Sequence, residues 1–64
     1  MSEISKREQE VLILISKGLS VKEIAYELNI SEETIKTHRK NLIRKFHVKN
    51  SPHLIKLAFQ QGYL

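Results

Sequence analysis

Residues 31–46, SEETIKTHRKNLIRKF, are the stretch that decides the fold of this chain. Ser31 suits a helix N-cap, and Glu32 and Glu33 place negative charge at the positive end of the helix dipole. At about 100° per residue, apolar residues fall on one side of the predicted helix and polar or basic residues on the other. The apolar side consists of Ile35, Leu42 and Phe46, and the opposite side of Lys36, Thr37, Lys40, Asn41 and Arg44. The stretch therefore predicts a helix over 32–46 with one packing side and one side suited to an acidic partner.

The rest of the chain predicts three further helices, at about residues 6–17, 21–28 and 52–61. The first two begin with the capping-box pattern, in which a serine is followed three residues later by a glutamate. These pairs are Ser5 with Glu8 and Ser20 with Glu23. Ser51-Pro52 favours a helix start because proline is pre-organised for the first helical position. The second and third helices are joined by so short a turn that they must cross steeply, as in a helix-turn-helix.

Helix ends and core positions follow from the same patterns. Gly18 and Asn29 are predicted to take the left-handed conformation that ends a helix, and Gly62 is predicted to stop the fourth helix. We expect Ile13 to be exposed and Val48 to lie under the core. The apolar stripe predicted for the fourth helix is Leu54, Ile55, Ala58 and Phe59, with Leu57, Gln60 and Gln61 around it. The fold class predicted is all-α, a four-helix bundle-like domain that contains a helix-turn-helix.

The length and the apolar runs favour a single small domain, assigned to residues 1–64. The longest apolar run, Val11 to Ile15, is far shorter than the roughly 18 residues of a membrane span. Met1-Ser2-Glu3 lacks the basic and apolar regions of an export signal. The chain has no cysteine, which leaves the redox compartment open. We expect a cytoplasmic protein without membrane contact.

No pattern in the sequence indicates catalysis. A domain of this size buries only about 60% of its unfolded surface, so its core is too thin for a typical enzyme pocket. There is no Gly-rich phosphate loop and no nucleophile motif. The three histidines, His38, His47 and His53, do not have the spacing of metal ligands, so neither a metal nor a cofactor is predicted. We expect His38 to be a partly buried packing residue.

Charge is distributed unevenly along the chain, whose net charge is +4. All seven acidic residues lie at or before position 33, together with four Lys or Arg residues. Residues 34–64 carry seven Lys or Arg residues and no acidic residue. This polarity favours a polyanionic partner, with nucleic acid the leading candidate. A solvated basic face that aids solubility is the alternative.

The polar side of the third helix is the candidate interface. In a helix-turn-helix, the N-terminal half of the second helix of the pair meets base edges in the major groove, which selects Lys36, Thr37 and Lys40 as base readers. Lysine can donate to guanine, and a threonine methyl can contact a thymine methyl. An ordinary exposed helix face is the alternative for these three. Glu32 and Glu33 are dipole partners, although Glu33 lies near enough to this face to accept from cytosine N4.

A second group of residues is placed for the phosphate backbone, because it lies farther along the same helix or at helix N-termini, which bind anions. Its members are Lys22, Ser31, Thr34, Asn41, Arg44 and Lys45. Contacts of this kind position a protein on DNA but do not specify sequence.

Five segments of the chain together resemble the LuxR-type (GerE-like) helix-turn-helix domain, as in the output domains of NarL/FixJ-class response regulators. They are SKREQEVL at 5–12, GLSVKEIA at 18–25, LNIS at 28–31, TIKTH at 34–38 and NLIRKFHVKN at 41–50. The resemblance covers nearly the whole chain, and these segments in this order are highly specific.

The resemblance implies a bacterial transcription regulator that binds double-stranded DNA, with the residues matching Lys36, Thr37 and Lys40 reading bases. Residues matching Lys22, Ser31, Thr34, Asn41 and Lys45 lie near the backbone or support the reading helix. It also implies a homodimer on a two-fold site, formed through the fourth helix, with RNA polymerase a further candidate partner. The predicted dimer interface is Leu57, Gln60 and Gln61. One unremarkable exposed leucine is the alternative for Leu57.

Three departures from the family pattern qualify this expectation. Val21 stands where asparagine is favoured, which puts one polar contact in doubt. Arg39 stands where an aliphatic residue is usual, so that edge of the helix is either more solvated or adds a phosphate contact. Ser51-Pro52 replaces Arg-Thr and weakens the argument for a cation there.

Two rival functions remain at this point. A helical protein-interaction module related to sigma-factor domains would need a concentrated apolar patch, for which Ile13, Leu57 and Leu64 are scattered candidates. An RNA-binding domain is disfavoured because the basic helix has no aromatic residue to stack on unpaired bases.

Overall fold

The computed structural model describes residues 4–64, and the predicted all-α fold is confirmed. These residues form four helices: α1 (Lys6–Ser16), α2 (Val21–Leu28), α3 (Glu32–Lys45) and α4 (Ser51–Gln60). The predicted bounds differ from these by at most one residue at either end. The predicted absence of an export signal concerns residues that lie outside this description. Within it, every helix is too short or too polar to cross a lipid bilayer.

The helix starts depend on side-chain caps. Both predicted capping boxes form: the serine hydroxyls of Ser5 and Ser20 accept backbone N–H groups at 3.1 and 3.2 Å, and both glutamates accept in return at 2.8 Å. Ser31 caps α3 by accepting from the Thr34 N–H at 3.2 Å. Each of these bonds satisfies a backbone donor that the helix itself leaves unpaired.

The start of α4 differs by one residue from the Ser51-Pro52 prediction. Asn50 is the N-cap and accepts from the His53 N–H at 2.9 Å, while Ser51 and Pro52 are the first two helical residues. Asparagine and serine cap helices about equally well, so the sequence pattern does not choose between them. Proline is tolerated at either position because the first-turn N–H groups have no intrahelical partner.

All four helices end in the same way, with a residue of positive φ followed by a backbone bond that reaches back five residues. The predicted residues Gly18, Asn29 and Gly62 have φ values of 89°, 56° and 86°. The fourth, His47 at the end of α3, has φ 57° and was not predicted. The Val48 N–H then donates to the Ile43 carbonyl at 3.1 Å, which is the Schellman arrangement. This arrangement turns the chain sharply after α3 and brings Val48 into the core.

The core lies between α3 and the other three helices, and each of those three helices contacts α3. From α3, Ile35 and Leu42 are fully buried and Phe46 is 8% exposed, as predicted. The remaining buried apolar residues are Val11, Leu12, Ile24, Ala25, Val48, Leu54 and Ala58. Tyr63 packs edge-on against Phe46, with ring centroids 5.4 Å apart, and so holds the end of α3 from the C-terminal side. Helix α3 is therefore held along its whole length by its inner side.

The apolar stripe predicted for α4 is wrong at one position. Phe59 is 68% exposed, whereas Leu57 is half-buried and packs against the core. The fully buried residues of this helix are Leu54 and Ala58, which define a narrow contact with α1 and α3. Leu57 lies about 60° around the helix from Leu54, but Phe59 lies about 140° away and points past that contact. The predictions of an exposed Ile13 and a buried Val48 are confirmed.

Candidate nucleic-acid interface

One exposed side of α3 carries the residues predicted to read bases. Lys36, Thr37 and Lys40 are all exposed, and Arg44 continues the same side one turn farther on. Because the opposite side of α3 is buried, these side chains project from a helix whose orientation the core fixes. The structure thus brings together three cations and a hydroxyl on one outward surface, which we call the basic face of α3.

The hydroxyl hydrogen of Thr37 is used inside the helix. Thr37 Oγ1 donates to the Glu33 carbonyl oxygen at 3.1 Å, one turn earlier in the helix. That bond occupies the hydroxyl hydrogen and leaves the methyl group as the part of the side chain available for apolar contact. A thymine methyl is the apolar group that the major groove offers.

The far end of the basic face contains an internal hydrogen bond. Arg44 donates from Nη2 to Asn41 Oδ1 at 3.2 Å, and Asn41 is half-buried. The guanidinium group has five donor hydrogens, so this bond leaves others for a phosphate. Asn41 therefore orients Arg44 along the edge of α3.

The start of α3 and the start of α2 supply the other candidate phosphate contacts. Ser31 Oγ and Thr34 Oγ1 lie 2.8 Å apart, and Ser31 also accepts the Thr34 N–H. One of the two hydroxyl hydrogens is used between them, so the other remains to donate outward. Lys22 is exposed in the first turn of α2. All three side chains thus lie at helix N-termini, where the dipole favours an anion.

Lys45 has a structural contact that the sequence reasoning missed. Its Nζ lies 2.8 Å from Glu8 Oε1, and Glu8 is only 5% exposed. The same carboxylate oxygen accepts the Ser5 N–H at 2.8 Å, so one atom closes the cap of α1 and ties it to the end of α3. The two residues are 37 positions apart, and helix periodicity gives no signal at that separation. The assignment of Lys45 to the DNA backbone stays a prediction.

This ion pair predicts a specific pH dependence. Burial raises the pKa of Glu8, but hydrogen bonds from Lys45 and the Ser5 backbone, with the charge of Lys45, outweigh it and leave the pKa below its ordinary value of 4.5. Because the folded-state pKa is depressed, this contribution to stability is present above pH 4.5 and is lost as pH falls through the folded-state pKa. We expect the free energy of unfolding, measured by urea titration across this range, to fall less steeply in Glu8→Gln. An unchanged slope would remove Glu8 from the acid response.

The remaining predicted site residues lie apart from the basic face. Gln60 and Gln61 are exposed at the end of α4, and Leu57 is half-buried. His38 is half-buried, as predicted. Arg39 is also half-buried and lines a cavity of about 210 Å³ with Val21 and Ser51.

Helices α2 and α3 are joined by residues 29–31, and the basic face of α3 is directed outward, which is the arrangement of a helix-turn-helix DNA-binding domain. The sequence profile of bacterial regulatory proteins of the luxR family matches residues 2–58. This chain belongs to that family, whose members carry a DNA-binding regulatory domain. The predicted resemblance to the LuxR-type domain is confirmed, and the chain is a DNA-binding domain of the kind found in transcription regulators.

Similar proteins and solved structures support the assignment to this family. Transcriptional regulatory protein FixJ of Rhizobium meliloti (strain 1021) is 42% identical over 60 residues, which cover 94% of this chain and 29% of FixJ. The response regulator ChrA of a heme-sensing two-component system is 38% identical with a TM-score of 0.95, over 100% of this chain and 32% of ChrA. The transcription factor GerE is 33% identical with a TM-score of 0.92, over 100% of this chain and 96% of GerE. The chain thus spans less than a third of the length of FixJ or ChrA.

A chain in a solved complex with DNA has the same fold as this domain. The VqmA–ligand–DNA complex of Vibrio cholera contains a chain that is 32% identical, with a TM-score of 0.90, over 98% of this chain and 28% of that one.

Proposed function

We propose that this domain binds double-stranded DNA sequence-specifically, with α3 in the major groove. The observation that carries the proposal is the basic face of α3, which is exposed along its length while the opposite side of the helix is buried. A major groove about 12 Å wide admits one α-helix, and a helix fixed by its inner side can enter it without reordering. The family membership and the likeness to the DNA-bound VqmA chain support this docking.

Within the groove, Lys36, Thr37 and Lys40 are the proposed base readers. They lie in the first three turns of α3, toward the N-terminal end that meets base edges in a recognition helix. The lysines favour guanine, whose O6 and N7 accept, and the Thr37 methyl favours thymine.

The proposed backbone contacts surround these readers. Lys22 contacts the phosphates from α2, Ser31 and Thr34 from the start of α3, and the remaining contacts come from the later turns of α3. Those later residues are Asn41, Arg44 and Lys45. Of the whole group, Lys45 contributes least, because its ammonium group already pairs with the buried Glu8.

We also propose that two copies bind a two-fold site through α4. Gln60 and Gln61 are exposed and available to a second copy, whereas Leu57 contributes its solvent-facing part because it also packs on its own core. Identical subunits related by a two-fold axis recognise an inverted repeat, with half-sites about one helical turn apart. In the longer regulators that share this domain, it would act as the output module in the cytoplasm, and RNA polymerase is a proposed partner.

Selection of bound duplexes from a random pool by the 64-residue chain tests the proposal. We expect enrichment of an inverted repeat with guanine and thymine at defined positions. Enrichment of a single asymmetric site would argue against the dimer, and binding without enrichment would argue against sequence-specific recognition.

Lys22→Ala tests the backbone contacts separately from base reading. We expect affinity to fall by the same factor on selected and random duplexes, because a phosphate contact carries no sequence information. The slope of log affinity against log salt should fall in magnitude by about one, since one fewer counterion is released. Lys56→Ala is the control. Lys56 is exposed on α4, and its substitution removes the same charge but should leave the salt slope unchanged. An unchanged slope in Lys22→Ala would exclude Lys22 from the phosphate contacts.

A further inference from the structure

Glu33 lies at the N-terminal end of the basic face of α3, one turn before Lys36 and Thr37. It precedes Lys36, Thr37 and Lys40 by three, four and seven residues, the spacings that place residues on one side of a helix. Around the helix axis Glu33 is about 20° from Lys40, whereas the neighbouring Glu32 is about 80° away. Glu33 is exposed. If α3 occupies the groove as proposed above, on which this inference rests, the carboxylate faces the base pairs.

Three glutamates of the domain have local partners among residues 4–64, whereas Glu33, like Glu27 and Glu32, has none. Glu8 and Glu23 close the capping boxes of α1 and α2, and Glu10 lies 3.1 Å from Arg7. At the start of α3 the corresponding box position is Thr34, so Ser31 caps the helix without a glutamate. Across residues 4–64, the Glu33 carboxylate has no hydrogen-bond or ion-pair partner. It is therefore free to bind a group outside the domain.

A carboxylate in the major groove discriminates between bases more than it adds affinity. The phosphates repel it on every sequence, and it can accept hydrogen bonds but cannot donate them. In the groove, guanine and thymine present oxygen and nitrogen acceptors, and adenine presents an N7 acceptor beside its N6 amino donor. Cytosine presents its N4 amino group as a donor and no acceptor. The carboxylate is thus stabilised at cytosine and destabilised at acceptor-bearing bases, which is how a repulsive element creates specificity.

We propose that Glu33 is a specificity-determining residue that accepts a hydrogen bond from the N4 amino group of a cytosine. The contacted base lies toward the N-terminal end of α3, beyond the base pairs read by Lys36, Thr37 and Lys40. The Glu33 carboxylate is then a hydrogen-bond acceptor beside the lysines that donate to bases. The domain therefore requires cytosine at one position of each half-site.

Paired selections with Glu33→Ala and Glu32→Ala test this assignment. Both variants remove one carboxylate from the first turn of α3, and both residues are exposed, so the two match in charge and in position relative to the helix dipole. The probes are the duplexes selected by the unaltered 64-residue chain and their single-base variants. We expect the unaltered chain to prefer cytosine at one position by about 5- to 150-fold. Glu33→Ala should abolish that preference, and Glu32→Ala should retain it.

The outcomes separate this inference from the proposed function. Three results would overturn the cytosine contact. The first is that Glu33→Ala keeps the preference for cytosine, and the second is that Glu32→Ala loses it to the same extent as Glu33→Ala. The third is that the unaltered chain prefers adenine at the affected position. If Lys40→Ala relaxes its own position while Glu33→Ala changes none, the inference fails and DNA recognition by α3 stands. If the unaltered chain enriches no sequence, both fail. Thermal unfolding of each variant, followed by circular dichroism, checks that the fold is intact.

Discussion

Leu42→Ala is expected to lower the free energy of unfolding by about 2 to 5 kcal/mol. Leu42 is fully buried at the middle of α3, and the substitution leaves a cavity that the surrounding helices fill only partly. A domain of this size has a total stability of about 3 to 10 kcal/mol, so the change removes a large share of it. DNA binding should fall in proportion to the folded fraction. Urea unfolding followed by circular dichroism measures the loss.

Ile13→Ala is the matched control for this prediction. It removes the same number of carbon atoms as Leu42→Ala, but Ile13 is 36% exposed on α1 and outside the buried cluster. We expect a change within about 0.5 kcal/mol, as for surface substitutions generally. Equal losses in the two variants would mean that α3 is not held by the core described here.

Lys40→Ala is expected to weaken binding to a selected duplex by about 1 to 3 kcal/mol and to relax specificity at one base pair. Lys40 lies at the centre of the basic face, and its side chain is exposed, so the fold should not change. The loss on random DNA should be smaller, because there only the electrostatic contribution is removed. Affinities for selected, single-base-variant and random duplexes at one salt concentration measure the difference.

Arg44→Ala provides the contrast on the same side of the same helix. It removes one positive charge, as Lys40→Ala does, but from the end of α3 where a backbone contact is proposed. We expect equal losses on selected and random duplexes. If Lys40→Ala behaved in this way too, its assignment as a base reader would be withdrawn.

The helix starts could be predicted from the sequence because their signals are local. Ser5 with Glu8 and Ser20 with Glu23 satisfy backbone donors within four residues, so the pattern contains all the partners that the structure uses. The exposure of Lys36, Thr37 and Lys40 was predictable for a similar reason, since helical periodicity separates them from Ile35 and Leu42.

Three features could not be predicted because they depend on contacts distant in sequence or on the packing angle of a helix. The contact of Glu8 with Lys45 joins residues 37 apart, and the capping pattern accounts for Glu8 without it. The exposure of Phe59 follows from how narrowly α4 meets its neighbours, which no single-helix pattern specifies. His47 adopts positive φ without being glycine or asparagine, because Val48 must turn back to Ile43.

The sequence by itself determined that this protein is four helices with one basic outward side, and its segments identified the family. It could do so because helix caps, apolar periodicity and charge are local patterns, each formed by residues a few positions apart. The tertiary structure alone decided how α3 is held: its C-terminal end by the Glu8–Lys45 pair and by the ring of Tyr63 on Phe46, and the rest of the helix by the burial of its inner side. Those contacts form only when distant segments meet, and they fix the orientation in which α3 presents its basic face.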